Sequence, residues 1–199
     1  MERIPNKERR RLKEEVIFKG ARAVFCRKGF IGVTMKDIIE ECGISRGGIY
    51  LYYESVDDIF VAVSKQRTKR KFEGIREQVN AGMPFFQLLD SYFAAQKERL
   101  LHMEGSMLRA TYEYFFTHKS PDDRAFQQSY MNNIQETITE ILQLGTAQGV
   151  ISKGRLAVLA ENYMFVIEGL SVLALFGGIT EAHIDRQLAL MKSFIKDKK

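Results

Sequence analysis

The chain has 199 residues, 45% hydrophobic and 28% charged, which is enough apolar mass for a folded core and argues against wholesale disorder. Three prolines, no Trp and two cysteines exclude collagenous, low-complexity and disulfide-stapled classes. The formal charge of +5 is unevenly spread: residues 1–71 hold 17 Lys/Arg against 10 Asp/Glu, whereas residues 72–199 hold 13 against 15. That asymmetry points to a polyanionic partner for the first third of the chain, nucleic acid before membrane.

Apolar residues recur at helical spacing, and no period-two run is sustained, so the chain reads as all-α with about nine helices. Val16, Ile17, Ala21, Val24 and Phe25 form one face of a first helix that ends at Gly29. Thr34 and Asp37 are spaced as a capping box for a short second helix, stopped by Gly43. Ser45 caps a third helix, and Ser55 with Asp58 opens a long fourth helix reaching Asn80. Pro84 sits in the first turn of a fifth helix, and Gly105 breaks the chain before a sixth that runs to His118. Ser120 opens a seventh, striped with Phe126, Tyr130, Ile134, Ile138 and Ile141. Ser152 caps an eighth, which runs to Gly177-Gly178, and Thr180 caps a ninth carrying Ile184, Leu188, Met191 and Ile195 on one face.

Cys26 and Cys42 lack any metal or redox spacing and read as buried thiols of a reducing compartment. Met1 to Lys13 has no apolar h-region, so it is not read as a signal peptide. The apolar stretch Asn162 to Thr180 contains Glu168, which would cost about 2.5–3.5 kcal/mol in a bilayer core. It is therefore expected to be a core helix of a cytoplasmic protein with no membrane partner.

Residues 34–53 carry the clearest functional pattern: helix, tight turn, helix. Met35, Ile38, Ile39 and Cys42 face inward, Gly43 makes the turn, Ile44 plugs the corner, and Ile49 and Tyr53 return to the core. Two helices joined by so short a Gly-containing turn form a helix-turn-helix, whose second helix enters the major groove of DNA. Lys36, Arg46, Tyr50 and Tyr52 fall on outward positions, and a basic arm (Arg3, Lys7, Arg9, Arg10, Arg11) precedes the unit. The run Lys65 to Lys71 reads instead as a solvated helix face.

Residues 14–61 resemble the N-terminal domain of the TetR family of bacterial transcriptional regulators, through Phe25…Gly29-Phe30, Val33-Thr34, Ile38, Cys42-Gly43-Ile44-Ser45, Gly47, Ile49-Tyr50, Tyr53 and Ser55…Asp57-Asp58-Ile59. The resemblance covers about a quarter of the chain. It implies a DNA-binding domain over residues 1–55 and a ligand-binding and dimerisation domain over residues 56–199. It further implies that Thr34, Lys36, Ser45, Arg46, Gly47, Gly48, Tyr50 and Tyr52 face double-stranded DNA. Two positions depart from the family pattern: Val56 stands where a Lys usually follows the cap of the fourth helix, and Gly48 where a Thr, Ser or Asn is usual. The Gly47-Gly48 pair should weaken its helix by roughly 1–2 kcal/mol.

The eighth helix is apolar nearly all round, so part of it needs cover from another surface. The family implies a homodimer through the last two helices. It also implies a ligand cavity among the aromatics of helices four to eight, for which Phe86, Phe93, His102, Arg109, Glu113, Tyr130, Tyr163 and Glu168 are the candidates. An alternative origin for Arg109 and Glu113 is a plain i,i+4 ion pair. The function expected is a repressor released from a palindromic operator by a small hydrophobic or aromatic effector. The rival reading is a DNA-binding adaptor without small-molecule input, controlled by a protein partner. No catalytic motif, metal-ligand set or cofactor fingerprint is present in the sequence, so no enzyme, metal or cofactor is expected.

Overall fold

A computed structural model describes residues 6–196. Among the described residues there are nine α-helices, two short 3-10 turns and no strand. The helices are α1 (Asn6–Lys28), α2 (Met35–Cys42), α3 (Arg46–Tyr50), α4 (Val56–Asn80), α5 (Phe85–Leu101), α6 (Leu108–Thr117), α7 (Pro121–Ala147), α8 (Leu156–Leu175) and α9 (Glu181–Lys196).

Most boundaries follow local chemistry. Ser55 and Asp58 exchange hydrogen bonds at the head of α4, the Asp58 N–H donating to Ser55 Oγ at 3.1 Å and the Ser55 N–H to Asp58 Oδ2 at 3.0 Å. Ser120 and Asp123 repeat the arrangement at α7. At α9 the His183 N–H donates to Thr180 Oγ1 at 3.3 Å. Ser152 does not cap α8: its side chain makes no cap hydrogen bond, a 3-10 turn over Lys153–Arg155 intervenes, and the helix begins at Leu156. Pro84 lies one residue before α5 rather than inside its first turn.

The largest departure is at the other end of the chain. α1 begins at Asn6, so Lys7, Arg9, Arg10 and Arg11 form its opening turns rather than a separate arm; Arg3 lies outside the described residues. The reason is i,i+3 and i,i+4 pairing along the helix. Arg10 bonds Glu14 at 3.1 Å, and Arg11 bonds Glu8 at 2.6 Å and Glu15 at 3.0 Å.

The chain divides into two compact units. The first gathers the described residues to Arg67 with Glu104–Arg124; the second gathers Thr68–Met103 and the described residues from Ala125 onward. This division is discontinuous along the chain.

In the first unit Ile17, Ala21, Val24 and Phe25 of α1 are fully buried with Ile38, Ile49, Ile59 and Phe60. α1 and α2 cross closely, because a Cβ on Gly20 would overlap Cys42 Sγ. Cys26 and Cys42 are half-buried rather than buried, and burial pushes both thiols up, away from the reactive thiolate. Phe30 is packed edge-on against Phe60 (5.1 Å) and Tyr114 (5.0 Å).

In the second unit α5, α7, α8 and α9 share one core, built from Leu88, Leu89, Ile138, Leu142, Tyr163, Ile167 and the α9 stripe Ile184, Leu188, Met191 and Ile195. Lys97 of α5 reaches Glu181 (2.8 Å) and Asp185 (2.7 Å) at α9. The outer side of α8 is different. Val158, Phe165 and Phe176 are 62–80% exposed, and spacings of seven and eleven residues put them on one stripe. By length and composition alone the segment Lys153–Leu175 is also apolar enough to cross a membrane.

Candidate nucleic-acid interface

The recognition element is assembled by two caps and one glycine. Thr34 has extended backbone at the head of α2, where its hydroxyl accepts the Asp37 N–H at 3.3 Å and its own N–H donates to Asp37 Oδ2 at 2.9 Å. Lys28 Nζ meets the other Asp37 oxygen at 2.5 Å. That ion pair first, then the Thr34 bonds, lowers the Asp37 carboxyl from 3.8 to about 2. α2 ends at Gly43 with φ 62°, a left-handed conformation that only glycine adopts without cost. The chain can therefore reverse into Ser45, whose Oγ accepts the Gly48 N–H at 3.2 Å and starts α3.

Ile49 is fully buried and fixes the rotation of α3, leaving Arg46, Gly47 and Tyr50 exposed. The Arg46 guanidinium lies 5.7 Å from the Tyr50 ring centre. Arg10, on the opening turns of α1, lies 5.7 Å from the ring of Tyr52. Thr34, Lys36 and Ser45 are also exposed, and Lys36 pairs loosely with Glu40 at 3.7 Å. The two glycines of α3 differ: nothing lies within 4 Å of a Cβ added to Gly47, whereas one on Gly48 would lie 2.9 Å from Ile44 Cγ2 and 3.0 Å from Ser45 Oγ. Sequence reasoning missed Leu51, which ends α3 at 80% exposure. Its position two residues after buried Ile49, between Tyr50 and Tyr52, was the available signal.

The residues nominated for a ligand cavity do not converge. Phe93 and Tyr163 are buried together in the second unit with rings 5.8 Å apart, and the Tyr163 hydroxyl donates to Met191 O at 2.6 Å. Glu168 is half-buried on the same helix as Tyr163, and its charge acts on Tyr92, whose hydroxyl burial pushes far above its usual range. Tyr130 is half-buried on α7. Phe86, half-buried, has Lys192 Nζ 5.6 Å from its ring. His102 is exposed beyond the far end of α5, beside Glu98. Sixteen residues of helix separate Phe86 from His102, about 24 Å, so one small molecule cannot touch both.

Arg109 and Glu113 belong to the first unit. They do form an ion pair, at 2.7 Å, but Glu113 also accepts backbone N–H groups from Phe30 (2.6 Å) and Ile31 (3.0 Å). Burial acts to raise the Glu113 carboxyl; the Ile31 amide, Arg109 and the Phe30 amide outweigh it, and the net shift is downward. A carboxylate so occupied is a structural acceptor of the helix-turn-helix unit. A groove of about 320 Å³ in the second unit was not anticipated. It is lined by Phe72 and by Asn132, Glu136, Thr139 and Gln143, whose helical spacing on α7 was legible in retrospect.

Within the first unit, α2 and α3 form a helix-turn-helix whose capped, basic and aromatic α3 is turned outward, the architecture of a DNA-binding transcriptional regulator. The family model for bacterial regulatory proteins, tetR family, matches residues 17–63. The transcriptional regulator YfiR of Bacillus subtilis is 27% identical over 194 residues, covering 96% of this chain and 93% of its own. The transcriptional repressor AcnR of Corynebacterium diphtheriae is 29% identical over 66 residues, 33% of this chain and 35% of its own. Among solved structures, a transcriptional regulator from Saccharomonospora viridis in complex with choline superposes with a TM-score of 0.71 at 21% identity, covering 93% of this chain and 96% of its own. The chain is thus similar to bacterial regulators of the TetR family, over residues 17–63 by the family model and over nearly its whole length by the B. subtilis regulator.

Proposed function

We propose that the protein is a homodimeric repressor that holds a palindromic operator and releases it when a small molecule binds the second unit. One observation carries the DNA reading: α3, anchored by Ile49 and capped by Ser45, turns Arg46, Gly47 and Tyr50 outward while Arg10 is held beside Tyr52. In this reading Arg46 makes a bidentate contact to guanine, worth about 1–3 kcal/mol of discrimination. Thr34, Lys36, Ser45, Tyr50 and Tyr52 hold phosphates, which position without specifying. Gly47 and Gly48 let the helix approach the bases, and Leu51 offers an apolar group to a thymine methyl.

The exposed stripe Val158, Phe165 and Phe176, flanked by Leu173 on α8 and Leu190 on α9, supports a seam between two copies. A two-fold dimer places two recognition helices on one face of the duplex. AcnR is a transcriptional repressor, and the S. viridis regulator was solved with choline bound, so both halves of the proposal have counterparts among similar proteins. In this chain Phe93, Tyr130, Tyr163 and Glu168 are the residues we assign to effector binding. The effector acts by binding better to the arrangement that cannot hold DNA, and tenfold relief needs about 1.4 kcal/mol of such preference.

The test is selection from random duplex DNA by the purified protein at near-physiological salt, with sequencing of the retained fraction. An enriched palindrome is expected, and its half-site spacing sets the dimer geometry. Binding that persists at low salt without any enrichment would reduce the basic unit to an electrostatic platform.

A further inference from the structure

The turn between α1 and α2 is held from far along the chain. Within the turn itself the Gly29 N–H donates to Phe25 O at 3.0 Å and the Val33 N–H to Phe30 O at 3.1 Å. The N–H groups of Phe30 and Ile31 go instead to one oxygen of Glu113, on α6, at 2.6 and 3.0 Å. Gly29 makes this approach possible in two ways. Its φ of 77° turns the chain out of α1, and its missing Cβ leaves the space that both Glu113 oxygens occupy. Phe30 is only 7% exposed, so water does not readily replace the carboxylate at that amide. Three residues beyond Ile31 the chain reaches Thr34, and five beyond it Lys36.

We propose that Glu113 is a positioning residue for DNA binding: by accepting the Phe30 and Ile31 amides it fixes the α1–α2 turn, and with it the first turn of α2. The proposal rests on the reading that Thr34 and Lys36 face the duplex. Charge-assisted bonds to two adjacent amides define the path of a turn better than side-chain packing alone, because both donors converge on a single oxygen. Arg109, on the other oxygen, orients the carboxylate without touching the turn.

The test compares full-length variants on the DNA enriched by selection, with hydrogen exchange of the 29–34 segment read in parallel. Glu113→Ala should lose about tenfold or more in affinity and exchange faster at 29–34, with α8 and α9 unchanged. Glu113→Gln keeps an acceptor oxygen for both amides, and Arg109→Ala leaves the carboxylate on the turn; both should bind within about threefold of the parent. Should Glu113→Ala lose its thermal transition, Glu113→Asp, one methylene shorter, carries the same comparison. Lys36→Ala is the control on the underlying reading: unchanged affinity there removes α2 from the interface and the proposal with it. Faster exchange at 29–34 with parental affinity overturns the Glu113 role alone. So does a Glu113→Gln variant that stays protected there yet binds as weakly as Glu113→Ala.

Discussion

Gly47→Ala and Gly48→Ala add the same methyl group one residue apart, and Gly47→Ala is expected to be the more stable of the two. Replacing a helical glycine by alanine gains roughly 0.5–1 kcal/mol through the unfolded chain. At Gly47 the new Cβ meets nothing within 4 Å, so the gain is kept. For a chain of this size that raises Tm by about 1–4 °C. At Gly48 the Cβ would press on Ile44 Cγ2 at 2.9 Å and on Ser45 Oγ at 3.0 Å. Ser45 Oγ is the cap of α3, accepting the Gly48 N–H at 3.2 Å, and a lost cap costs about 0.5–2 kcal/mol. The net at Gly48 then runs from about 0.5 kcal/mol favourable to about 1.5 kcal/mol unfavourable, below the gain at Gly47 by the cost of the cap. Far-UV circular dichroism melts measure this, and fluorescence anisotropy on the enriched DNA measures the cost in binding. With duplex against the open side of Gly47, Gly47→Ala should be the more stable protein and the weaker binder. A Gly48→Ala variant that gains as much as Gly47→Ala refutes the packing argument, and a Gly47→Ala variant with parental affinity removes Gly47 from the interface.

Asp37, lowered to about 2 by Lys28 and Thr34, stabilises the head of α2 above its ordinary value of 3.8, and that stabilisation is lost as pH falls towards 2. The Thr34 amide resonance should therefore hold at about pH 5 and move between about pH 4 and 2, and Asp37→Asn should abolish that acid transition. Tyr163→Phe removes a buried hydrogen bond to Met191 O and should cost about 1 kcal/mol by thermal melt; no loss would mean the hydroxyl is not buried there. Phe165→Glu combined with Phe176→Glu should convert a dimer to a monomer in sedimentation velocity, and an unchanged mass would place the seam elsewhere.

What could be read from the sequence was what short-range spacing encodes. Thr34 with Asp37, Ser55 with Asp58 and Ser120 with Asp123 each sit three residues apart, and each closes a reciprocal cap. Glu8, Glu14 and Glu15 around Arg10 and Arg11 carry the same kind of signal and account for the longer α1. The aromatic residues are less legible for a physical reason: composition reports that Phe93 and Tyr163 are inside, but not whether they touch only each other or a ligand as well. They lie 5.8 Å apart, ring to ring, and a cavity assignment needs distances that no spacing supplies.

Glu113 is the instructive case, because its sequence signal was correct and incomplete. The spacing to Arg109 announced an ion pair, and the pair is there at 2.7 Å. Its other partners are main-chain amides more than 80 residues away, and a backbone N–H leaves no letter in a sequence. The one trace it leaves is Gly29, legible as a helix terminator and silent about the carboxylate filling its empty side. Gly29→Ala therefore combines two penalties: a left-handed φ imposed on an L-residue, about 1–2 kcal/mol, and eviction of the Glu113 carboxylate. Pairing it with Glu113→Ala separates the two. Once the carboxylate is gone only the backbone penalty remains, so Gly29→Ala should cost less in the Glu113→Ala background than alone. Strict additivity in thermal melts would mean that the close approach of Gly29 and Glu113 contributes nothing.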